Sequence, residues 1–185
     1  TDEYEQGQKL SENTLAQEYG CSRTPIREIL TWLKNDGLVV VVPKSGTYVR
    51  TETEEDVTEL VQVRSYLESL AFRLAVTEAS DHRIQRVSKI FDELEAIVRQ
   101  TPIDLLRFAS LHYEFHFQLV LASGNALLQK MYARLNLRSS HMFYRSMDRS
   151  AAEFTQNEHR RILEYLRSRD PSGEPFVREH LLRRY

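Results

Sequence analysis

The chain holds a single cysteine, Cys21, so no disulfide can close within it. That usage fits a reducing, cytoplasmic setting. No run of about 18 apolar residues is present, which excludes a membrane-spanning helix. There is no signal-peptide pattern, no internal repeat and no low-complexity segment. Bulk positive charge is missing too: 25 Lys and Arg stand against 27 Asp and Glu, a net of -2. A contact with an anionic polymer must therefore rest on a local patch.

Such a patch lies in the first quarter. From Cys21 to Arg50 there are five Lys/Arg against two Asp/Glu, a local net of about +3. Ser11 is placed to cap a short helix with Leu15 and Ala16 inward, and Gly20 suits the turn after it. Ser22 can cap a second helix, where Pro25 is tolerated in the first turn. Ile26, Ile29, Leu30 and Leu33 repeat at helical spacing, and Trp32 is expected in the core. Asn35-Asp36-Gly37 stops that helix. Leu38–Val42, the turn Pro43–Gly46 and Thr47–Val49 predict a two-stranded wing. A recognition helix offers its N-terminal residues to the major groove. Here those are Ser22, Arg23, Thr24 and Arg27, with Lys44, Ser45 and Gly46 at the wing tip. Arg is the usual bidentate partner of guanine, and Ser or Thr can reach bases or phosphates.

LSENTLAQEYGCSRTPIREIL followed by LVVVVPKSGTYV resembles the winged helix-turn-helix of the GntR family of bacterial transcription regulators. The run Ser22–Glu28 is the core of that signature. The resemblance implies that Arg23 and Arg27 touch operator DNA and that the wing reaches the adjacent minor groove. The family carries a further helix before the Gln6–Leu10 stretch, and this chain begins almost there, so that helix is expected to be missing.

Near Arg50–Thr53 the strand pattern gives way to a long helical pattern, dividing a winged helix-turn-helix domain at 1–52 from a helical-bundle effector and dimerisation domain at 53–185. The fold class is mainly α, with an antiparallel all-helical bundle after the N-terminal head. Thr53 and Asp56 form a capping pair for a helix through Leu60, Val63, Leu67, Leu70 and Leu74. Ser80 caps the next. Thr101-Pro102 opens a third that ends at Ser123–Asn125, with Asp104 in its first turn. Asn125 caps a fourth, Ser150–Glu153 is a capping box for a fifth, and Asp170-Pro171 opens the last. The stretch Ser146–Ser150 reads as irregular.

His112 and His116 lie four apart and share one helical face. His159 and His180 lie on two later helices, and a bundle can bring three helices to one point. Imidazoles suit Zn, Ni, Cu or Fe, and neutral ligands leave an ion's charge uncompensated, which attracts an anion. From the residues alone, surface or core histidines without any metal are the competing reading. His82 and His141 fall outside the pattern.

Arg64–Glu68, Glu114–His116 leading to Ala122–Asn125, Glu158–Leu163 and Arg178–Leu181 resemble the FCD effector domain of the FadR-like subgroup. That resemblance implies a divalent metal held by one Asp and three His, which helps to bind a small carboxylate. His116, His159 and His180 match the three histidines, and His112 stands where the Asp usually is. An all-His set (His112, His116, His159, His180) should favour Zn or Ni over a hard ion such as Mg. Arg64 and Asn125 are candidate effector contacts. For Arg64 the alternative is an internal ion pair with Glu68; for Asn125 it is a helix cap. Glu114 points away from the histidine face.

The expected protein is a ligand-responsive regulator that binds operator DNA as a homodimer and senses a small carboxylate, with no membrane partner and no catalysis. A zinc-dependent hydrolase or lyase is one alternative, and a structural zinc bundle without an effector is another. Against an enzyme, no nucleophile or general base stands at a convincing spacing.

Overall fold

The computed structural model describes residues 4–144 and 147–183, with backbone only for 136–144. The chain divides into two compact units, Thr1–Asp56 and Val57–Tyr185.

The first unit is a small winged head. It contains β1 (Lys9–Leu10), α1 (Glu12–Glu18), α2 (Arg23–Asn35), β2 (Val39–Val42) and β3 (Gly46–Val49). The strands form one antiparallel sheet in the order β1-β3-β2. The sheet thus has three strands where two were expected. A strand of two residues shows no periodicity to read, and its pairing partner lies far along the chain. Ser11 Oγ accepts from the Thr14 N–H at 3.4 Å and starts α1. Gly20 ends that helix with φ +62°, a region that suits glycine. Ser22 holds the cap position of α2 in an extended conformation, yet its side chain makes no capping hydrogen bond.

Leu10, Leu15, Ala16, Ile26, Leu30 and Val39 form the head's core. Two expectations fail here. Ile29 is 45% exposed and Trp32 is 65% exposed. The buried stripe of α2 runs through Ile26 and Leu30, and Trp32 lies roughly 120° round the helix from Ile26.

The second unit is helical. α3 (Glu54–Glu78), α4 (Asp81–Val98), α5 (Leu105–Ala122), α6 (Ala126–Tyr144) and α7 (Arg149–Arg167) precede a 3₁₀ turn at Pro171–Gly173 and α8 (Glu174–Leu182). Thr53 and Asp56 cap α3 reciprocally: the Asp56 N–H donates to Thr53 Oγ1 at 3.1 Å and the Thr53 N–H to Asp56 Oδ2 at 3.0 Å. Ser80 caps α4 through the Arg83 N–H. α5 starts later than Thr101-Pro102, because Asp104 is the cap and accepts the Arg107 N–H at 3.0 Å. α7 opens at Arg149 instead of after Ser150, because Asp148 accepts the Ala151 N–H at 2.7 Å. Met147 and Asp148 are non-helical as expected, and Ser146 lies outside the described residues.

The inward face of α3 also differs from the leucine pattern. Val63 is exposed and Leu67, Leu70 and Leu74 are half-buried, while Leu60, Arg64, Ser65, Glu68, Phe72 and Ala75 are buried. Counting apolar residues phases a helix wrongly when the inner line carries polar side chains whose partners come from other helices. Phe72, Val87, Leu94, Phe108, Phe115, Leu119, Ile162, Leu166 and Val177 fill the main core. Each fully buried Leu, Ile or Phe contributes about 1.5–3 kcal/mol relative to exposure. That core sets α5, α7 and α8 around a common centre.

Candidate metal centre and DNA-reading face

His112 and His116 project inward from α5, His159 from α7 and His180 from α8. All four are buried, the last three completely. One ligand-capable atom from each falls within 4.8 Å of all the others. His116 Nε2 lies 3.2 Å from His112 Nε2 and 3.3 Å from His159 Nε2. The His116 and His180 rings stack at 5.3 Å between centroids, and Phe115 stacks on His159 at 4.2 Å. Two nitrogens bound tetrahedrally to one zinc, each about 2.0–2.1 Å from it, would lie about 3.4 Å apart.

The outer ring nitrogens of His116, His180 and His159 are engaged away from the centre. His116 Nδ1 is 2.6 Å from Glu68 Oε2, and His180 Nδ1 is 2.7 Å from Glu158 Oε2. His159 Nδ1 is 3.3 Å from Gln156 Oε1, whose amide donates to Phe91 O. Burial holds His116 down to about 4, against the attraction of Glu68. Burial alone would push Glu68 up, but His116, Arg64 and Tyr132 outweigh it and hold the carboxyl at about 2. At neutral pH the pair is a carboxylate and a neutral imidazole. His116 then donates Nδ1–H outward and turns a bare Nε2 lone pair to the centre. Hydrogen bonds to carboxylates at the outer nitrogen are the usual support of metal-binding histidines.

His180 Nε2 is buried and has no hydrogen-bond partner. A buried acceptor without a donor is costly, and an electrophilic ion satisfies it. The residues present therefore fit a divalent metal.

Glu68 entered the sequence reading only as an ion-pair partner of Arg64, and Glu158 not at all; their bonds to His116 and His180 were not expected, although both residues sit in motifs that it singled out. Each links a histidine to an arginine. Arg64 Nη2 donates to Glu68 Oε1 at 3.0 Å and to Tyr132 Oη at 2.8 Å, and Tyr132 donates to Glu68 Oε1. Arg183 Nη1 donates to Glu158 Oε1 at 3.1 Å. Of the two readings of Arg64, the internal ion pair with Glu68 is formed, although Arg64 Nε stays buried without a hydrogen-bond partner. Asn125 is exposed, and its side-chain oxygen caps α6 by accepting the Leu128 N–H at 3.0 Å. Glu114 accepts from Gln118. His82 is exposed, and the His141 side chain lies outside the described residues.

These shifts fix a pH response. His116 has a folded pKa of about 4, below its ordinary 6.5, so its contribution is present above pH 6.5 and is lost as pH falls toward 4. Glu68 adds a loss of the same sign below its ordinary 4.5. Metal-free protein should therefore melt at progressively lower temperature as pH drops from about 6.5 to about 5. Thermal melts across that range check this, and a flat profile would contradict the neutral, buried state of His116.

On the head, Ser22, Arg23, Thr24 and Arg27 are exposed at the start of α2. Both guanidiniums converge on Glu12 of α1. Arg23 Nη2 and Arg27 Nη2 each lie 2.9 Å from Glu12 Oε2. Hydrogen bonds from Arg27 and then Arg23 hold the Glu12 carboxyl at about 2. Exposed pairs of this kind add little to stability; their effect is to hold two arginines side by side. Glu12 was not expected here, since only the crossing of α1 and α2 brings it to them. Lys44 and Ser45 are exposed at the wing turn, and Gly46 is half-buried with φ +139°. Among the described residues no helix is long and apolar enough to cross a membrane.

Comparison with known proteins agrees with both halves. Residues 1–49 match the family of bacterial regulatory proteins named gntR, and residues 59–181 match the FCD domain. An HTH-type transcriptional regulator of Bacillus subtilis, YdhC, is 29% identical over 97% of this chain and 79% of its own. The gluconate operon transcriptional repressor of the same species is 28% identical over 71% of this chain and 53% of its own. The structure of McbR/YncC from E. coli superposes with a TM-score of 0.82 over 98% of this chain and 86% of that one, at 20% identity, which speaks to the fold. The two Bacillus subtilis relatives are transcriptional regulators, and nothing in them favours a hydrolase or lyase. With a winged head that matches one domain model and a bundle that matches the other, the chain belongs to the GntR family of bacterial regulators, in the group with an FCD domain, and is a ligand-responsive DNA-binding transcription regulator.

Proposed function

We propose that the bundle holds a divalent metal, Zn or Ni, through His112, His116, His159 and His180, and that this centre senses a small organic acid. The observation that carries the reading is the convergence of these imidazoles, with the outer nitrogens of His116, His180 and His159 committed to Glu68, Glu158 and Gln156. Four borderline nitrogen donors and no carboxylate ligand suit Zn or Ni better than Mg. When bound, the ion supplies a positive centre for an anionic ligand. Arg64 is the candidate cation beside it, tied to His116 through Glu68 and retaining one unpartnered Nε. The naming of one relative for the gluconate operon agrees with an organic acid as effector class. On the head, Ser22, Arg23, Thr24 and Arg27 read the major groove, while Lys44, Ser45 and Gly46 carry the wing to the adjacent groove. Two heads in a homodimer meet equivalent half-sites of a pseudo-palindrome.

Sensing requires the two halves to be linked. An acid that binds the metal-loaded bundle should change operator affinity, by about 1–3 kcal/mol for a typical coupling. By reciprocity, operator DNA should change the acid's affinity by the same factor. The test is a paired titration with a panel of small carboxylates, gluconate among them, with and without DNA. A carboxylate that binds at the metal and moves neither affinity would sink the sensor and favour a structural metal site.

A further inference from the structure

One cation at the wing stands outside the residues assigned to DNA. Lys9 is on β1, directly opposite Tyr48 of β3. Its ammonium lies 5.9 Å from the centroid of the Tyr48 ring. Its stem runs across Gly46, so closely that a Cβ there would sit 2.8 Å from Lys9 Cε. The Tyr48 hydroxyl in turn is 2.6 Å from Ser45 Oγ at the wing turn. Lys9, Tyr48, Ser45 and Gly46 therefore make one contiguous surface beside Lys44. Arg23 and Arg27 share the carboxylate of Glu12, whereas no ion pair involves Lys9 among the described residues, and Lys9 is exposed.

We propose that Lys9 is a DNA-contacting residue of this protein, bound to the phosphodiester backbone beside the wing. The proposal rests on the wing tip meeting DNA. A lysine side chain that roams in solution gives up rotamer entropy when it is fixed. The Tyr48 ring and the open space at Gly46 hold Lys9 against the sheet, which reduces what remains to be lost. Its ammonium is a point charge without planar base-reading geometry, so its partner is phosphate and its contribution is independent of sequence. β1 thereby acts as part of the wing's footprint as well as its third strand.

The experiment measures binding of the full chain to a short random-sequence duplex over a series of salt concentrations. Lys9→Met keeps the stem and removes the charge. Its slope of log affinity against log salt should be shallower than the parent's by about 0.9, the value of one phosphate contact. Lys9→Arg should restore the parental slope. Lys44→Met reports whether the wing meets DNA at all. A parental slope in Lys9→Met together with a reduced slope in Lys44→Met overturns the role of Lys9 and leaves the wing in place. Parental slopes in both remove the wing from DNA and the proposal with it. Thermal melts of each variant confirm that the head is folded.

Discussion

Protein carrying His116→Ala should be purified without its metal and should melt well below the parent. His116 is the centre of the cluster, with its Nε2 within 3.3 Å of two other imidazole nitrogens. Two losses combine. An ion that binds only the folded state stabilises it by about 2.7 kcal/mol when its free concentration is 100 times its dissociation constant. Removing the imidazole also takes a hydrogen bond from Glu68, a fully buried carboxylate, and an unsatisfied buried group costs about 1–3 kcal/mol or more. The two parts separate experimentally. Chelator should lower the melting temperature of the parent and leave the variant unmoved. Elemental analysis of His159→Ala and His180→Ala should show the same loss of metal, and His82→Ala, on the surface, should show none. Metal that persists in a triple His116/His159/His180→Ala protein would place the site elsewhere.

Operator binding should fall by about 1–3 kcal/mol, or roughly 5- to 150-fold, in Arg23→Ala and again in Arg27→Ala, if each guanidinium makes a bidentate base contact. The two effects should not add. Both arginines use the same carboxylate, Glu12 Oε2, so removing one changes how the other is held. Glu12 is held at about 2, so its protonation plays no part near neutral pH. Fluorescence anisotropy on the operator at a fixed salt concentration measures both losses, since an affinity without its salt concentration cannot be interpreted. A chain that binds its operator equally well without either arginine would take α2 out of the groove.

Much of this molecule is written in short-range chemistry. The cap at Ser11, the stop at Gly20 and the reciprocal pair Thr53–Asp56 depend on atoms two to four residues apart, and they fold as their sequence suggests. So does the shared face of His112 and His116, which follows from helical spacing alone. Start positions were less secure where two capping residues competed. Asp104 and Asp148 hold the caps of α5 and α7, where their carboxylates accept from the free N–H groups of the first turn.

Local pattern is enough to read a winged part and a helical part, the basic start of α2 and the histidines that could meet. Which polar groups lie inside, and what holds them, depends on the packing of elements far apart in the chain. Glu68 faces inward on α3 because, beside Arg64 one turn away, His116 of α5 and Tyr132 of α6 supply partners that no window of its own helix reveals. Glu158 is committed to His180, 22 residues away, and Glu12 to arginines 11 and 15 residues away. Trp32 is exposed because the head's core was already filled by Ile26, Leu30 and their neighbours. The physical reason is the same in each case. A buried charge or a cross-helix hydrogen bond is stable only when partners distant in sequence arrive at the right distance, and only the packed fold brings them there.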